Sequence, residues 1–368
     1  SGSLTTLLRI SFFCLAFLPA ACQVQDSRWE THQNAGTEAF KQRNFDKAEG
    51  EFKAAIKEAE GVRAHDLRLA SSLYQLGLVY AITGRYAEAV PSLERSLAVQ
   101  EKVQGTEHPD MVVPSGTLPN LYLAQGRVLE GEALLKRAVA IGTKVLGPEH
   151  PDVAWALGIL GNWYLVRGKC AEAEPLEKRI LAIKEKAFGS EHPNLLATLA
   201  DHANLYLLDG RYGEAELILK RALDIAEKAF GPESNNVAGF LATRGKLYSS
   251  QGRYTEAEAV LKHALAIREK TRSSEWQMST TLVYLSEVYL AQGRYALAEP
   301  LVKRALALQE NTLGIEHQSL ALTLEVYADL QRKTNRVDEA AIMENRAKAI
   351  RAKYGTKKEC DNRKENGR

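Results

Sequence analysis

The feature that most constrains this chain is a period. A Gly followed by Arg or Lys recurs at Gly84, Gly126, Gly168, Gly210, Gly252 and Gly293, with Asn335-Arg336 in the next place, at intervals of 42, 42, 42, 42, 41 and 42 residues. Three further blocks keep the same register. RYAEAV, KCAEAE, RYGEAE, RYTEAE and RYALAE follow the turn, and pairs such as Val79-Tyr80, Trp163-Tyr164 and Leu205-Tyr206 precede it. K-R-A-L-A-I or a near variant comes ten residues after each Gly, and G-x-E-H-P-D closes most repeats. Four blocks in register six times over leave no room for chance, and a period of this length belongs to chains that stack one supersecondary unit on the next.

Each unit reads as two helices. In one, Leu199, His202, Ala203 and Tyr206 recur at steps of three or four residues. Gly210 then supplies a tight turn, and a second helix is predicted from about Tyr212 to Phe230, with Ala215, Leu219, Ala222 and Ile225 on one side. Ala89, Ala173, Ala215, Ala257 and Ala298 let the two helices of a unit approach closely. One such pair cannot bury its own apolar stripe, so the units must stack into an all-α solenoid. Pro114 and Pro119 fall where the second long unit needs its first helix, and a broken or kinked helix is expected there.

With GxEHPDVA, LY, QGRYxEAEPL and KRALAIxEK in place, the chain resembles the tetratricopeptide repeat family, in its 42-residue kinesin light chain-like form. The resemblance covers seven long units over residues 63–355, and residues 29–62, with GTEAFKQRNFDKAEGEFKAAI, look like one shorter repeat of the same family. It implies a right-handed superhelical solenoid of helix-turn-helix repeats acting as a scaffold for peptides and proteins.

The two ends read differently. Residues 1–21 have the layout of a secretory signal, with Arg9, an apolar run from Ile10 to Leu18 and then small residues. That run is far short of the roughly 20 apolar residues needed to span a bilayer. Leu18-Pro19-Ala20-Ala21-Cys22 resembles a bacterial lipobox, with Pro19 where such boxes usually carry Leu, so lipidation at Cys22 and plain cleavage both stand. The expected location is the bacterial periplasm or a membrane-anchored lipoprotein, with a membrane reached only through the lipid. Residues 22–28 read as a linker, and residues 356–368 as a disordered charged tail.

Charge and motif content narrow the function. Lys and Arg number 48 against 46 Asp and Glu, a formal net charge of +2, well short of the basic excess that nucleic acid binding demands. The four Cys are scattered without a metal-type C-x-x-C pair. His108, His150, His192 and His317 recur in E-H-P or E-H-Q loops. Helices stacked about 8–10 Å apart cannot bring equivalent His residues onto one ion, so they read as loop and helix-start residues. Asp110, Asp152, Asn194 and Asn236 are the expected N-caps. Glu132–Lys136, Glu174–Lys178, Glu216–Lys220, Glu258–Lys262 and Glu299–Lys303, each at i and i+4, read as a solvated charge ladder. No nucleophile elbow, zinc helix, phosphate loop or dinucleotide fingerprint is present, so no enzyme, catalytic residue, metal or cofactor is expected.

The functional signal lies six residues before the turn, where the chain carries Leu78, Asn120, Asn162, Asn204, Lys246, Glu287 and Asp329. In the family this column faces the concave groove. A carboxamide donates and accepts at once, so it can pair with the N–H and C=O of any extended peptide. Asn120, Asn162, Asn204 and Lys246 are therefore the candidate groove residues, with Leu165 and Leu207 as apolar pockets. Trp155 is either a pocket or a packing residue. The kinesin-type pattern also places Asn ten and nine before the Gly. Here those positions read Gly116-Thr117, Gly158-Ile159, Ala200-Asp201 and Ala242-Thr243, a departure from that cargo mode. The expected partner is a protein or peptide; the alternative is an envelope assembly or co-chaperone component working through its outer surface or by self-association.

Overall fold

A computed structural model describes residues 27–62, 66–108, 114–315, 317 and 319–354. Among them the fold is all-α, with no strand and sixteen helices that alternate as first and second members of helix-turn-helix pairs. The first body contains α1 (Ser27–Lys41) with α2 (Phe45–Val62), α3 (Leu67–Ile82) with α4 (Tyr86–Gln104), and α5 (Pro114–Ala124) with α6 (Val128–Val145). Helix α7 (Pro151–Val166) runs through the boundary at Leu160, beyond which the second body begins. That body continues with α8 (Cys170–Phe188), α9 (Leu196–Leu208), α10 (Tyr212–Phe230), α11 (Asn235–Ser250), α12 (Tyr254–Lys270), α13 (Glu275–Ala291), α14 (Tyr295–Leu313), α15 (Leu320–Lys333) and α16 (Val337–Tyr354). The proposed signal, Cys22 and the charged tail lie outside the described residues. Ser27 and Arg28, read as linker, are the first residues of α1.

The turn column does what its chemistry requires. Gly210 sits at φ +73°, a left-handed conformation that a side chain would strain, and the next N–H, from Arg211, donates back to the Tyr206 carbonyl at 2.9 Å. Asn335 takes the same conformation at φ +63°. The alanines that follow, Ala89, Ala173, Ala215, Ala257 and Ala298, are wholly buried. A second small-against-large register seals each pair: a side chain added at Gly36 would begin 2.7 Å from the Phe52 ring, and one at Gly77 would begin 2.6 Å from Leu93. Gly245 is closed in the same way by Leu261. The small residue stands seven before the turn and the large one nine after it.

Two sequence expectations need correction. Pro114 opens α5, where a missing N–H costs nothing, and Pro119 is carried inside the helix in a buried position. Within the described residues the helix runs unbroken through Pro119 from Pro114 to Ala124. The N-caps also fall elsewhere. His150 and His192 use Nδ1 to accept the backbone N–H two residues on, from Asp152 at 3.2 Å and Asn194 at 3.1 Å, and His317 does the same for Ser319 at 3.2 Å. Ser234 accepts from Val237, which places Asn236 inside α11, while Asp110 lies outside the described residues. His150 and His192 are thus helix-start residues and the caps themselves, while Ser319 stands at the N-cap of α15.

The acidic column is more than a solvated face. Glu174 binds Lys178 at 2.8 Å on its own helix, and it also receives Arg211 from the following repeat at 2.7 Å. Arg211 lies 4.5 Å above the Tyr206 ring, whose hydroxyl donates to the same carboxylate at 3.3 Å. The unit repeats as Tyr289, Arg294 and Glu258 in the second body, and as Tyr80, Arg85 and Glu49 in the first. Each Arg after a turn therefore ties its repeat to the one before. Glu132–Lys136, Glu258–Lys262 and Glu299–Lys303 form as expected, while Glu216 turns to Arg253 at 3.6 Å. Arg336 and Lys303 together hold the Glu299 carboxyl down at about 2.

Candidate groove face

First helices of neighbouring repeats pack side by side in the second body, α9 on α11, α11 on α13 and α13 on α15. Their uncovered faces carry the column six before the turn. Asn162 and Asn204 are exposed, and among the described residues neither carboxamide has a hydrogen-bond partner. Leu165 and Leu207 stand three residues on, on the same helix faces and half-buried, so each amide has an apolar neighbour. Asn120 is likewise exposed and unpartnered on α5 in the first body. Leu78, in the same column, is wholly buried in the first body's core.

The other predicted residues have different roles. Trp155 is half-buried against a cluster of Ile141, Ala156, Leu97 and Val139, the packing alternative left open by the sequence. Lys246 is not a free charge: its Nζ donates to Glu287 at 2.8 Å and lies 5.4 Å from the Tyr284 ring. Two members of the column thus neutralise each other across α11 and α13. Asp329 at the next position is 3.2 Å from Lys333.

Sequence reasoning missed Glu177. It stands nine residues after its turn, where the other long units carry Leu93, Leu135, Leu219, Leu261, Val302 and Glu344. The side chain is 4% exposed, and its Oε1 lies 2.9 Å from where a side chain on Gly161 would begin. Burial, with the Asp201 carboxylate as a second cause, pushes its carboxyl up to about 7, and Lys184 opposes the rise. A column-by-column alignment of the repeats would have found it, because among the six Gly-turn units it is the one acid in an aliphatic column, Glu344 of the last unit being half-buried and paired with Arg332. His202, one residue beyond Asp201, is also buried. It stacks on Tyr206 at 5.7 Å between centroids, and burial lowers its basicity, so it is neutral at physiological pH. No cluster of His, Cys, Asp and Glu with metal-binding geometry occurs among the described residues.

These features define an all-helical repeat protein of the solenoid class with an uncovered polar face on its first helices. The tetratricopeptide repeat model matches residues 30–102, 68–118, 117–186, 168–228, 195–270 and 277–353. The chain belongs to the tetratricopeptide repeat family, its long units being of the kinesin light chain-like type. Among solved structures, it is 30% identical to the putative kinesin light chain nearly identical TPR-like repeats of Podosopora anserina, with 56% of this chain and 97% of that one covered at a TM-score of 0.47. A tetratricopeptide repeat protein from Parabacteroides merdae shares the fold at 18% identity, covering 86% of this chain and 99% of its own at a TM-score of 0.55. Among curated proteins, the nuclear autoantigenic sperm protein of Oryctolagus cuniculus is 35% identical over 74 residues, 20% of this chain. The chain spans only about a tenth of the length of the curated relatives it matches.

Proposed function

We propose that this chain is a non-catalytic scaffold that takes up an extended segment of a partner protein along the first-helix face of its repeats. Proteins built on this fold generally serve protein–protein interaction. The observation that carries the finer reading is the set of exposed, unpartnered carboxamides of Asn120, Asn162 and Asn204 at one register position. An amide left unspent on a surface helix gives the fold nothing, since Asn is a weak helix former. It has both functions needed to grip a peptide backbone. Changing Asn162 and Asn204, both in the second body, to Ala should weaken a bound peptide by about 0.5–1.5 kcal/mol per lost hydrogen bond, about fivefold to a hundredfold in total. A displayed dodecapeptide library supplies the ligand and isothermal titration reads the change. Unchanged affinity with the helical spectrum intact would remove the Asn column from the function.

A second reading places function on the outer surface, through self-association or assembly in the envelope. It is favoured by Leu217 and Ile342, 71% and 62% exposed at the same position seven after the turn. Sedimentation of the full chain with both changed to Ser separates the two readings. Export rests on residues 1–21 and Cys22 of the sequence alone.

A further inference from the structure

Arg268 stands sixteen residues after its turn on α12, in a column that reads Gln100, Gly142, Lys184, Ala226, Gln309 and Arg351 in the other long units. The side chain is 5% exposed and crosses to the next repeat, where Nη1 donates to the Gln277 carbonyl and the Thr281 hydroxyl on α13. Lys184 and Gln309 meet the equivalent hydroxyls, Thr198 and Thr323, each at 2.7 Å. Arg268 keeps a second edge that they lack. Its Nε is buried without a hydrogen-bond partner, and Nη2 makes no hydrogen bond among the described residues. No carboxylate pairs with it there either. Glu269 beside it is bound to Arg304 at 3.0 Å, and Glu287 on α13 is bound to Lys246 at 2.8 Å. Burial pulls the guanidinium down to about 10, so it keeps its charge at physiological pH. A buried cation without a counter-ion is unfavourable for folding.

The second Arg of the column shows what the free edge fits. Arg351 on α16 donates from Nε to one oxygen of Glu325 at 2.6 Å and from Nη2 to the other at 2.7 Å, a two-point grip on a carboxylate. Glu325 stands ten residues before its turn, and the residue at that register in the Arg268 unit is Ala242. One helical turn before Ala242 on α11 is Gly239, at a register that holds Trp155, Ala197, Thr280 and Leu322 in other units. A side chain begun at Gly239 would enter open space, with Nη2 of Arg268 at 3.9 Å as the one neighbouring atom within 4 Å. The absent side chain leaves an opening, and the unused edge of the guanidinium borders it.

We propose that the opening at Gly239 is a carboxylate seat, in which a ligand carboxylate takes the Nε and Nη2 edge of Arg268 as Glu325 takes that of Arg351. The seat lies wholly within the second body, two turns before Lys246 on α11, and uses none of the exposed carboxamides. It therefore stands independently of the Asn column. The carboxylate comes from a free carboxylic acid or from an acidic side chain of a bound segment.

The test uses the full chain, with acetate as the probe for the first source and a dodecapeptide library with one position held as Glu or Gln for the second. At matched ionic strength, acetate should raise the urea midpoint above its value in chloride if the seat takes a free acid. Glu-bearing peptides should bind at least about tenfold tighter than their Gln counterparts if it takes a partner segment. Either response should vanish in Arg268→Gln, which installs the Gln309 of the next repeat. It should also vanish in Ala242→Glu, which leaves Arg268 in place and supplies the internal acid that Arg351 has. Circular dichroism checks that each variant is folded, and either one that folds decides the matter. A native chain indifferent to acetate and to Glu against Gln, or a response unchanged in a folded variant, overturns the proposal. Should no peptide bind, the carboxamide reading falls and the acetate comparison alone decides the seat.

Discussion

Replacing Glu177 changes stability in a way that only a buried, ionisable carboxyl can produce. Its carboxyl is raised from the ordinary 4.5 to about 7, burial being the main cause and Asp201 the second. At about 1.4 kcal/mol for each tenfold change in proton affinity, ionising it in the folded chain costs on the order of 3 kcal/mol. The direction follows from linkage. The folded group holds its proton more tightly than the unfolded one, so the stability it contributes is complete below about pH 4.5 and is lost as pH rises through about 7. Glu177→Gln keeps the shape and removes the titration, so its gain over the native chain should grow to about 3 kcal/mol at pH 8 and vanish near pH 4.5. Glu177→Leu should gain a further 1–2 kcal/mol or so from apolar burial in a site built for Leu. Urea unfolding followed by circular dichroism, native and variant paired at each pH, cancels the other titrating groups. Because a repeat array need not unfold in one step, the comparison is made on the transition that Glu177 shifts. A gap between native and Glu177→Gln that is the same at both pH values would refute the buried-carboxyl argument.

Three other outcomes are expected. Leu261→Ala, which opens a hole against Gly245, should lower stability by about 2–5 kcal/mol and be read as a drop in urea midpoint. Glu174→Ala removes the shared acceptor of Lys178, Arg211 and Tyr206 and should cost about 1–2 kcal/mol by the same measurement, falling at high salt as an ion-pair contribution must. Mass spectrometry of protein from its native host should find a mature chain that starts at or near Cys22; full-length protein in the cytosol would end the export reading.

The fold was legible to an unusual degree because the period carries it. The Tyr212–Phe230 helix, the Gly210 turn and the buried face of Ala215, Leu219, Ala222 and Ile225 all stand where the spacing put them. Helix starts were less legible. A residue favoured as a cap, such as Asn194, is not a cap when a His two positions earlier offers a nitrogen acceptor, and propensity alone does not rank the two. The pairing of Lys246 was not legible for a related reason. Its partner Glu287 is 41 residues away, and the pair forms only because α11 and α13 pack side by side. Pro119 is tolerated in α5 where a general rule for helix interiors predicts a break.

In a repeated chain, the positions that leave the period deserve the weight that single-chain reasoning gives to unusual motifs. The position nine after each turn carries Leu or Val in five of the other long units and Glu344 in the seventh, where the acid is half-buried and paired with Arg332, whereas Glu177 is 4% exposed. An exposed acid would carry no penalty and no information. Glu177 is buried, is repelled by Asp201 and lacks a donor, and on packing grounds alone a Leu would fit better. Val90 makes the contrast. It replaces the Glu of the acidic column, and the array absorbs the change locally, with Arg127 moving its contact to Glu94 at 2.9 Å and Tyr122 donating to the same carboxylate at 2.8 Å. That departure is repaired from within the chain, whereas the one at Glu177 is not. The unrepaired departure lies beside two unspent carboxamides, and its cost to folding is what the paired titration of the native chain and Glu177→Gln reads.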